Sequence, residues 1–198
     1  MLFEMLTSEL ENHKQRLKLL IENKAYLRKS PLKGEEPFEL ASGGTSWVLF
    51  DCKLVTQNPE GISLIAAIVY EMVKEYKLDG IGGIETGAIP ICTAVAQLSF
   101  MKKDPIPAFW VRHERKKHGT KNLIEGGLMP NSRVVLMDDV TTRGNSIEEA
   151  IKAVRDIGCE IVGLITLVDR EEGAKAKLER EGFKFEAIFK KSDFKNQA

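Results

Sequence analysis

The chain carries no net charge: its 198 residues hold 29 Lys+Arg against 29 Asp+Glu. That balance argues against a broadly basic nucleic-acid binder or a polybasic membrane protein, so any basic surface must be local. Cysteine is scarce. Cys52, Cys92 and Cys159 stand far apart with no CxxC between them, which speaks against both a disulfide framework and a zinc site. They read as small core side chains in a reducing cytoplasm. Long apolar runs are missing as well. The longest, Ile62 to Tyr70, is interrupted by Ser63 and falls well short of the roughly 20 residues that cross a bilayer. Glu4, Glu9 and Glu11 interrupt the N-terminal apolar residues, so no signal peptide is expected. There is no internal repeat and no low-complexity tract. The remaining composition, 43% hydrophobic and 29% charged, is that of one folded domain.

Apolar spacing supplies the element order. Phe3, Leu6, Leu10, Leu17, Leu20, Ile21 and Leu27 predict an amphipathic helix over 2–27, closed by Ser30-Pro31. After a Pro/Gly linker, strands are expected at 38–40 and 46–51, joined at Ser42-Gly43-Gly44. A helix over 60–77 opens at Asn58-Pro59. Then strands at 78–84, 106–111, 133–137, 160–168 and 183–189 alternate with helices at 89–101, 145–157 and 171–181. Apolar strands alternating with helices imply an α/β fold whose parallel sheet is covered on both faces. Ligands in such sheets bind where strands end, just after Ile84, Val111, Met137 and Val168. The chain divides into an N-terminal part, 1–58, and an α/β core, 59–198, within one compact domain.

The most informative stretch follows Val134-Val-Leu-Met137. Asp138-Asp139 stand where that strand is expected to emerge, and Val140-Thr141-Thr142-Arg143-Gly144-Asn145-Ser146 turns into a helix. Small residues and hydroxyls at a helix N-terminus suit a phosphate. Adjacent carboxylates suit the vicinal hydroxyls of a ribose, or Mg²⁺. Together they fit a phosphorylated sugar. Two other phosphate motifs fail at 82–89: Ala88-Ile89 stands where a Walker loop needs Lys-Ser/Thr, and Glu85 stands where a dinucleotide fingerprint needs its third glycine.

Val134 to Ser146 resembles the PRPP-binding signature of type I phosphoribosyltransferases (PRPP is 5-phosphoribosyl 1-diphosphate). The resemblance implies that family's fold, a central parallel sheet flanked by helices with a small N-terminal hood. It also implies that Asp138 and Asp139 face the ribose hydroxyls, while Val140, Thr141, Thr142, Arg143, Gly144, Asn145 and Ser146 wrap the 5′-phosphate. Gly83-Ile-Glu85-Thr86-Gly87-Ala88 resembles the family's diphosphate loop, with Glu85, Thr86 and Gly87 at the ligand.

Arg112 to Lys121 carries five Lys/Arg against one Glu and two of the three histidines. A long polar loop of this kind packs no core. A nucleic-acid patch is disfavoured, because the segment lacks an aromatic for base stacking. A cationic flap over a diphosphate suits it better: charge develops on the leaving group, and cations aimed there stabilise the transition state above the ground state. Arg112-x-x-x-Lys116-x-His118-Gly119, with Ile124-Glu125-Gly126 after it, resembles the catalytic loop of the orotate phosphoribosyltransferase branch. Arg112, Lys116 and His118 are then expected on the diphosphate, joined by His113 where lysine is usual. With Asp138 and Asp139 these three form the expected catalytic set. That loop reaches into the partner's site in the family, which implies a homodimer.

On the base side, Arg170 follows the strand at 160–168 and suits a planar carboxylate. By resemblance Arg170, Thr142, Leu49 and Phe50 contact orotate, although Ala41 stands where many members have lysine before Ser-Gly. Mg²⁺ is expected to arrive on PRPP rather than in a protein cage, with no dedicated metal ligand. The implied activity is transfer of phosphoribosyl from PRPP to orotate in de novo pyrimidine synthesis, in the cytoplasm, without nucleic acid or membrane. A phosphoribosyltransferase for a purine or unusual base, and a PRPP-binding regulatory protein, are the alternatives.

Overall fold

A computed structural model describes residues 2–40, 43–114 and 122–194, with side chains from Ser8 onward. The elements run α1 (Leu2–Leu20), β1 (Tyr26–Arg28), β2 (Phe38–Glu39), β3 (Thr45–Ser46), β4 (Val48–Phe50), α2 (Lys53–Thr56) and α3 (Pro59–Val73). They continue with β5 (Gly80–Gly82), α4 (Ala88–Met101), β6 (Trp110–Val111), β7 (Ile124–Glu125), β8 (Arg133–Thr141), α5 (Asn145–Arg155), β9 (Glu160–Asp169), α6 (Ala174–Arg180) and β10 (Phe185–Lys190).

The central sheet has the order β10-β9-β8-β5, and every pairing is parallel. Residues 107–111 continue it beyond β5 through parallel bridges of Ile81 to Ala108 and Ile84 to Val111. Strand β8 is central, so both of its faces are covered. That is why Val134, Val135, Leu136 and Met137 form an unbroken apolar run and are all essentially fully buried. Alternation sends Val135 and Met137 into the cluster with α1, α3 and α4, and Val134 and Leu136 into the cluster with α5 and α6. The result is helix, sheet, helix.

Local chemistry sets the helix starts. Asn58 accepts a hydrogen bond from the Gly61 N–H at 3.0 Å, and Pro59 occupies the first helical position of α3. Leu64, Ile65, Ile68 and Val69 then bury the inward faces of α3. Helix α5 places Ile147, Ala150, Ile151 and Val154 on one buried stripe. Leu17 and Ile21 are fully buried and join α1 to the core cluster; burial of this kind stabilises by about 1.5–3 kcal/mol per side chain.

The structure corrects four expectations. The N-terminal helix does not reach residue 27. It ends at Leu20, passes through a π turn at Ile21–Ala25, and Tyr26–Arg28 pairs antiparallel with Val48–Phe50 instead. Backbone pairing with a distant strand outweighs the local helical spacing of Leu27. The stretch 46–51 is not one strand: β3 pairs with β2 and β4 with β1. The acidic pair does not follow the strand but lies inside it. Strand β8 continues to Thr141 because β9 runs to Asp169 and still pairs there, Asp138 opposite Thr166 and Thr141 opposite Asp169. Finally, the helix expected from 171 begins at Ala174. A turn precedes it, in which the Glu171 N–H donates to Asp169 Oδ1 at 2.8 Å. Among the described residues no helix is long and apolar enough to cross a membrane.

Candidate active site

The carboxyl ends of β5, β8 and β9 bring three segments to one edge of the sheet: the turn at 83–88, the loop at 141–146 and Arg170. Asp138 and Asp139 are both buried, 5% and 8% exposed. They are adjacent on β8, and their carboxyl groups interact. Asp138 Oδ1 accepts from the Asp139 N–H at 3.0 Å, and Asp138 Oδ2 from the Thr141 hydroxyl at 3.4 Å. Asp139 Oδ1 accepts from the Val140 N–H at 2.9 Å. Burial first, and the neighbouring Asp139 charge second, push the Asp138 carboxyl up to about 8. Asp138 is therefore held toward its neutral, protonated form. Such a pair can accept hydrogen bonds from a diol through Asp139 and share its proton through Asp138.

Asp139 faces Gly87. A methyl group at Gly87 would run into the Asp139 carboxylate, so glycine is required for the 83–88 turn to close on β8. Ile84 is buried and bridges Val111, while Thr86 is exposed. Cys52, at the start of α2, is close enough to feel the pair: burial first, then the Asp139 charge, raise its thiol well above the ordinary value.

Beyond Thr141 the chain turns through Thr142 and Arg143 to Gly144, whose φ of +86° is one only glycine adopts freely. The first α5 hydrogen bond runs from the Glu148 N–H to Gly144 O at 2.9 Å. The amides of Asn145, Ser146 and Ile147 thus form the open N-terminal end of a helix, where backbone N–H groups and the dipole favour an anion. Arg143 and Asn145 are exposed, Thr142 and Ser146 partly so.

At the end of β6, Arg112 Nη1 lies 3.6 Å from Glu85 Oε2. The backbone N–H of His113 donates to Glu85 Oε1 at 3.1 Å. The His113 ring meets Glu149 of α5 at 3.0 Å, a contact that nothing in the spacing of the two residues announces. Lys116 and His118 fall outside the described residues, as does Ala41.

Arg170 is 3% exposed. Its Nε donates to Glu172 Oε1 at 3.0 Å and its Nη2 to the Ser46 hydroxyl at 3.3 Å. The N-terminal hairpin thereby reaches the end of β9. Phe50 is buried, stacked on Tyr26 at 4.9 Å and edge-on to Phe194 at 5.2 Å. Leu49 is half-buried and points to the opposite side of β4.

Residues 52–196 match the model of the phosphoribosyl transferase domain. The chain belongs to the phosphoribosyltransferase family. The orotate phosphoribosyltransferase of Aquifex aeolicus is 44% identical over 169 residues, 84% of this chain and 92% of that one. Among solved structures, that of Mycobacterium tuberculosis orotate phosphoribosyltransferase with Fe(III) dicitrate superposes with a TM-score of 0.77 at 29% identity. It covers 93% of this chain and 99% of the other. The same Mycobacterium tuberculosis enzyme in complex with PRPP gives 0.70 at 27% identity, covering 92% of each chain. Within the family, the chain falls in the orotate phosphoribosyltransferase branch.

Proposed function

We infer that this protein transfers the 5-phosphoribosyl group from PRPP to orotate, releasing diphosphate and giving orotidine 5′-monophosphate, a step of de novo pyrimidine synthesis in the cytoplasm. The observation that carries this reading is the convergence of three features: the buried Asp138–Asp139 pair, the open N-terminus of α5 and the Gly87 turn. The identity of the relatives and their coverage of most of the chain support orotate as the base.

In this reading the 5′-phosphate takes the amides and hydroxyls of Thr141 to Ser146, and Asp138 and Asp139 take the ribose hydroxyls. The backbone of Glu85-Thr86-Gly87 seats the diphosphate, with Arg112 and, by resemblance, His113, Lys116 and His118 supplying positive charge. Arg170 and Thr142 hold the orotate carboxylate and ring edge, with Leu49 and Phe50 on the hood beside the base. Orotate N1, as its anion, then attacks C1 of the ribose from the face opposite the diphosphate. The bond to diphosphate breaks as the bond to N1 forms, and the released negative charge is met by the arginine and lysine cations. The protein contributes orientation and preorganised charge rather than covalent chemistry.

Burial and the neighbouring Asp139 push the Asp138 carboxyl up, which makes it a poor ligand for a cation. A Mg²⁺ ion would then be carried by PRPP oxygens and water, with Asp139 the protein carboxylate that could face it. When bound, the ion lowers the charge that the leaving diphosphate presents. We further propose a homodimer in which the basic loop at 112–127 serves the partner's site. The test is loss of orotate absorbance on mixing protein, PRPP, Mg²⁺ and orotate, repeated with hypoxanthine, guanine, adenine and uracil. Turnover of orotate alone is expected. Turnover of a purine in its place would reassign the base, and PRPP binding with no turnover would make the protein a sensor.

A further inference from the structure

Arg170 is pinned at two of its nitrogens. Nε donates to Glu172 Oε1 at 3.0 Å and Nη2 to the Ser46 hydroxyl at 3.3 Å. Its backbone is fixed as well, because the Arg170 N–H donates to Thr141 O at 2.9 Å. The guanidinium cannot turn about its last side-chain bond without breaking one of these contacts. Its side chain is 3% exposed, so water offers its charge little compensation. A guanidinium carries five N–H donors and accepts nothing. Nη1 has no acceptor among the described residues. A buried cation held still with donors to spare is suited to an anion.

Ser46 supplies the second observation, and it concerns a proton. A serine hydroxyl has two acceptor lone pairs and one O–H. The Val48 N–H takes one lone pair at 3.1 Å, and Arg170 Nη2 takes the other at 3.3 Å. Oγ is thereby filled as an acceptor, and its own hydrogen must point away from both donors. No described residue accepts that hydrogen. Ser46 is half-buried, and its place on β3 is set by its pairing with Phe38. The N-terminal hairpin therefore brings an unused O–H up to an unused guanidinium edge. One neutral and one charged donor side by side match the two oxygens of a carboxylate.

We propose that the Ser46 hydroxyl is a second donor to the carboxylate of the base, acting beside Arg170. Ser46 lends its lone pairs to the protein and gives its proton to the ligand. The proposal rests on the reading of Arg170 as the orotate residue and adds to it a contact from the hood. It also gives the hood a part in choosing the base. A base without the carboxylate would leave both the Arg170 cation and the Ser46 proton unpaired, and a site built to pair such groups rejects a ligand that lacks the partner.

A double-mutant cycle tests it, with wild type, Ser46→Ala, Arg170→Ala and the double variant. The quantity read is kcat/KM for orotate, taken at low orotate so that weak binding stays measurable. Ser46→Ala should lower it about tenfold, with kcat and the PRPP KM each within about twofold. In the Arg170→Ala background the same substitution should still lower it at least about threefold, because the hydroxyl meets the base itself. Ser46→Cys, which keeps the shape but donates weakly, should lose nearly as much as Ser46→Ala. Ser46→Thr, which keeps the O–H, should stay within about threefold of wild type. No effect of Ser46→Ala in the Arg170→Ala background would reduce Ser46 to a prop for Arg170 and overturn the proposal. So would a Thr variant as impaired as the Ala variant, or an equal rise in the PRPP KM. Those outcomes leave the transferase reading standing, whereas wild-type protein that turns over no orotate would remove that reading and the proposal together.

Discussion

Asp138→Asn should make the ligand-free protein more stable. The Asp138 carboxyl is pushed up to about 8 by burial and by Asp139, while an unfolded chain holds an aspartate near 4. Between those values the folded state binds the extra proton. Stability therefore falls as pH rises through the window from about 4 to about 8, by up to about 1.4 kcal/mol per pH unit. At pH 7 the accumulated penalty reaches about 4 kcal/mol as an upper bound, since a buried site relaxes when it ionises. Asparagine never ionises. Its Oδ1 can keep the Asp139 N–H, and its amide can donate toward Asp139 as the protonated acid does. The variant should match wild type near pH 4 and exceed it increasingly toward pH 8. For a chain of this size about 4 kcal/mol corresponds to roughly 8–16 °C in Tm at pH 7. Thermal or urea unfolding of both proteins, without PRPP or Mg²⁺, at half-unit steps from pH 4.5 to 8 reads this directly. Parallel curves across the range, or a variant less stable at pH 7, would refute the placement of the proton on the buried pair.

Other substitutions separate the two substrates. Arg170→Lys removes the planar fork while keeping the charge, and should raise the orotate KM by about ten- to a hundredfold with PRPP affinity within about twofold; equal effects on both would put Arg170 on the wrong substrate. Gly87→Val forces a side chain into the space of the Asp139 carboxylate and should weaken PRPP binding in calorimetry at least about tenfold, whereas unchanged affinity would detach the turn from the ligand. Lys116→Ala should lose turnover by about a hundredfold or more while still binding PRPP within about tenfold. Undiminished turnover would remove the cationic loop from the chemistry.

The α/β class was legible because it is written in apolar runs. Val134 to Met137 can be read as a doubly covered strand from four residues, and the site motifs fall where such strands end. The rest was hidden for physical reasons. Leu27 continues the helical spacing of α1, but its backbone belongs to a ladder with Leu49, and that partner is set by tertiary packing. The burial of Asp138 and Asp139 within β8 runs against the rule that charges mark strand ends. Only the length of β9 alongside explains it. Glu172 and Ser46 around Arg170, and Glu149 beside His113, are distant or unremarkable in sequence; geometry alone pairs them. Lys116 and His118, the most diagnostic residues of the basic loop in the sequence, are carried by resemblance.

The most direct test is a crystal structure of the protein grown with PRPP and Mg²⁺. The phosphate on C5 should rest on the amides at the start of α5, the two ribose hydroxyls against Asp139 and Asp138, and the diphosphate between Gly87 and Arg112. Density for the sugar at another edge of the sheet, or the two phosphate ends reversed, would contradict the account.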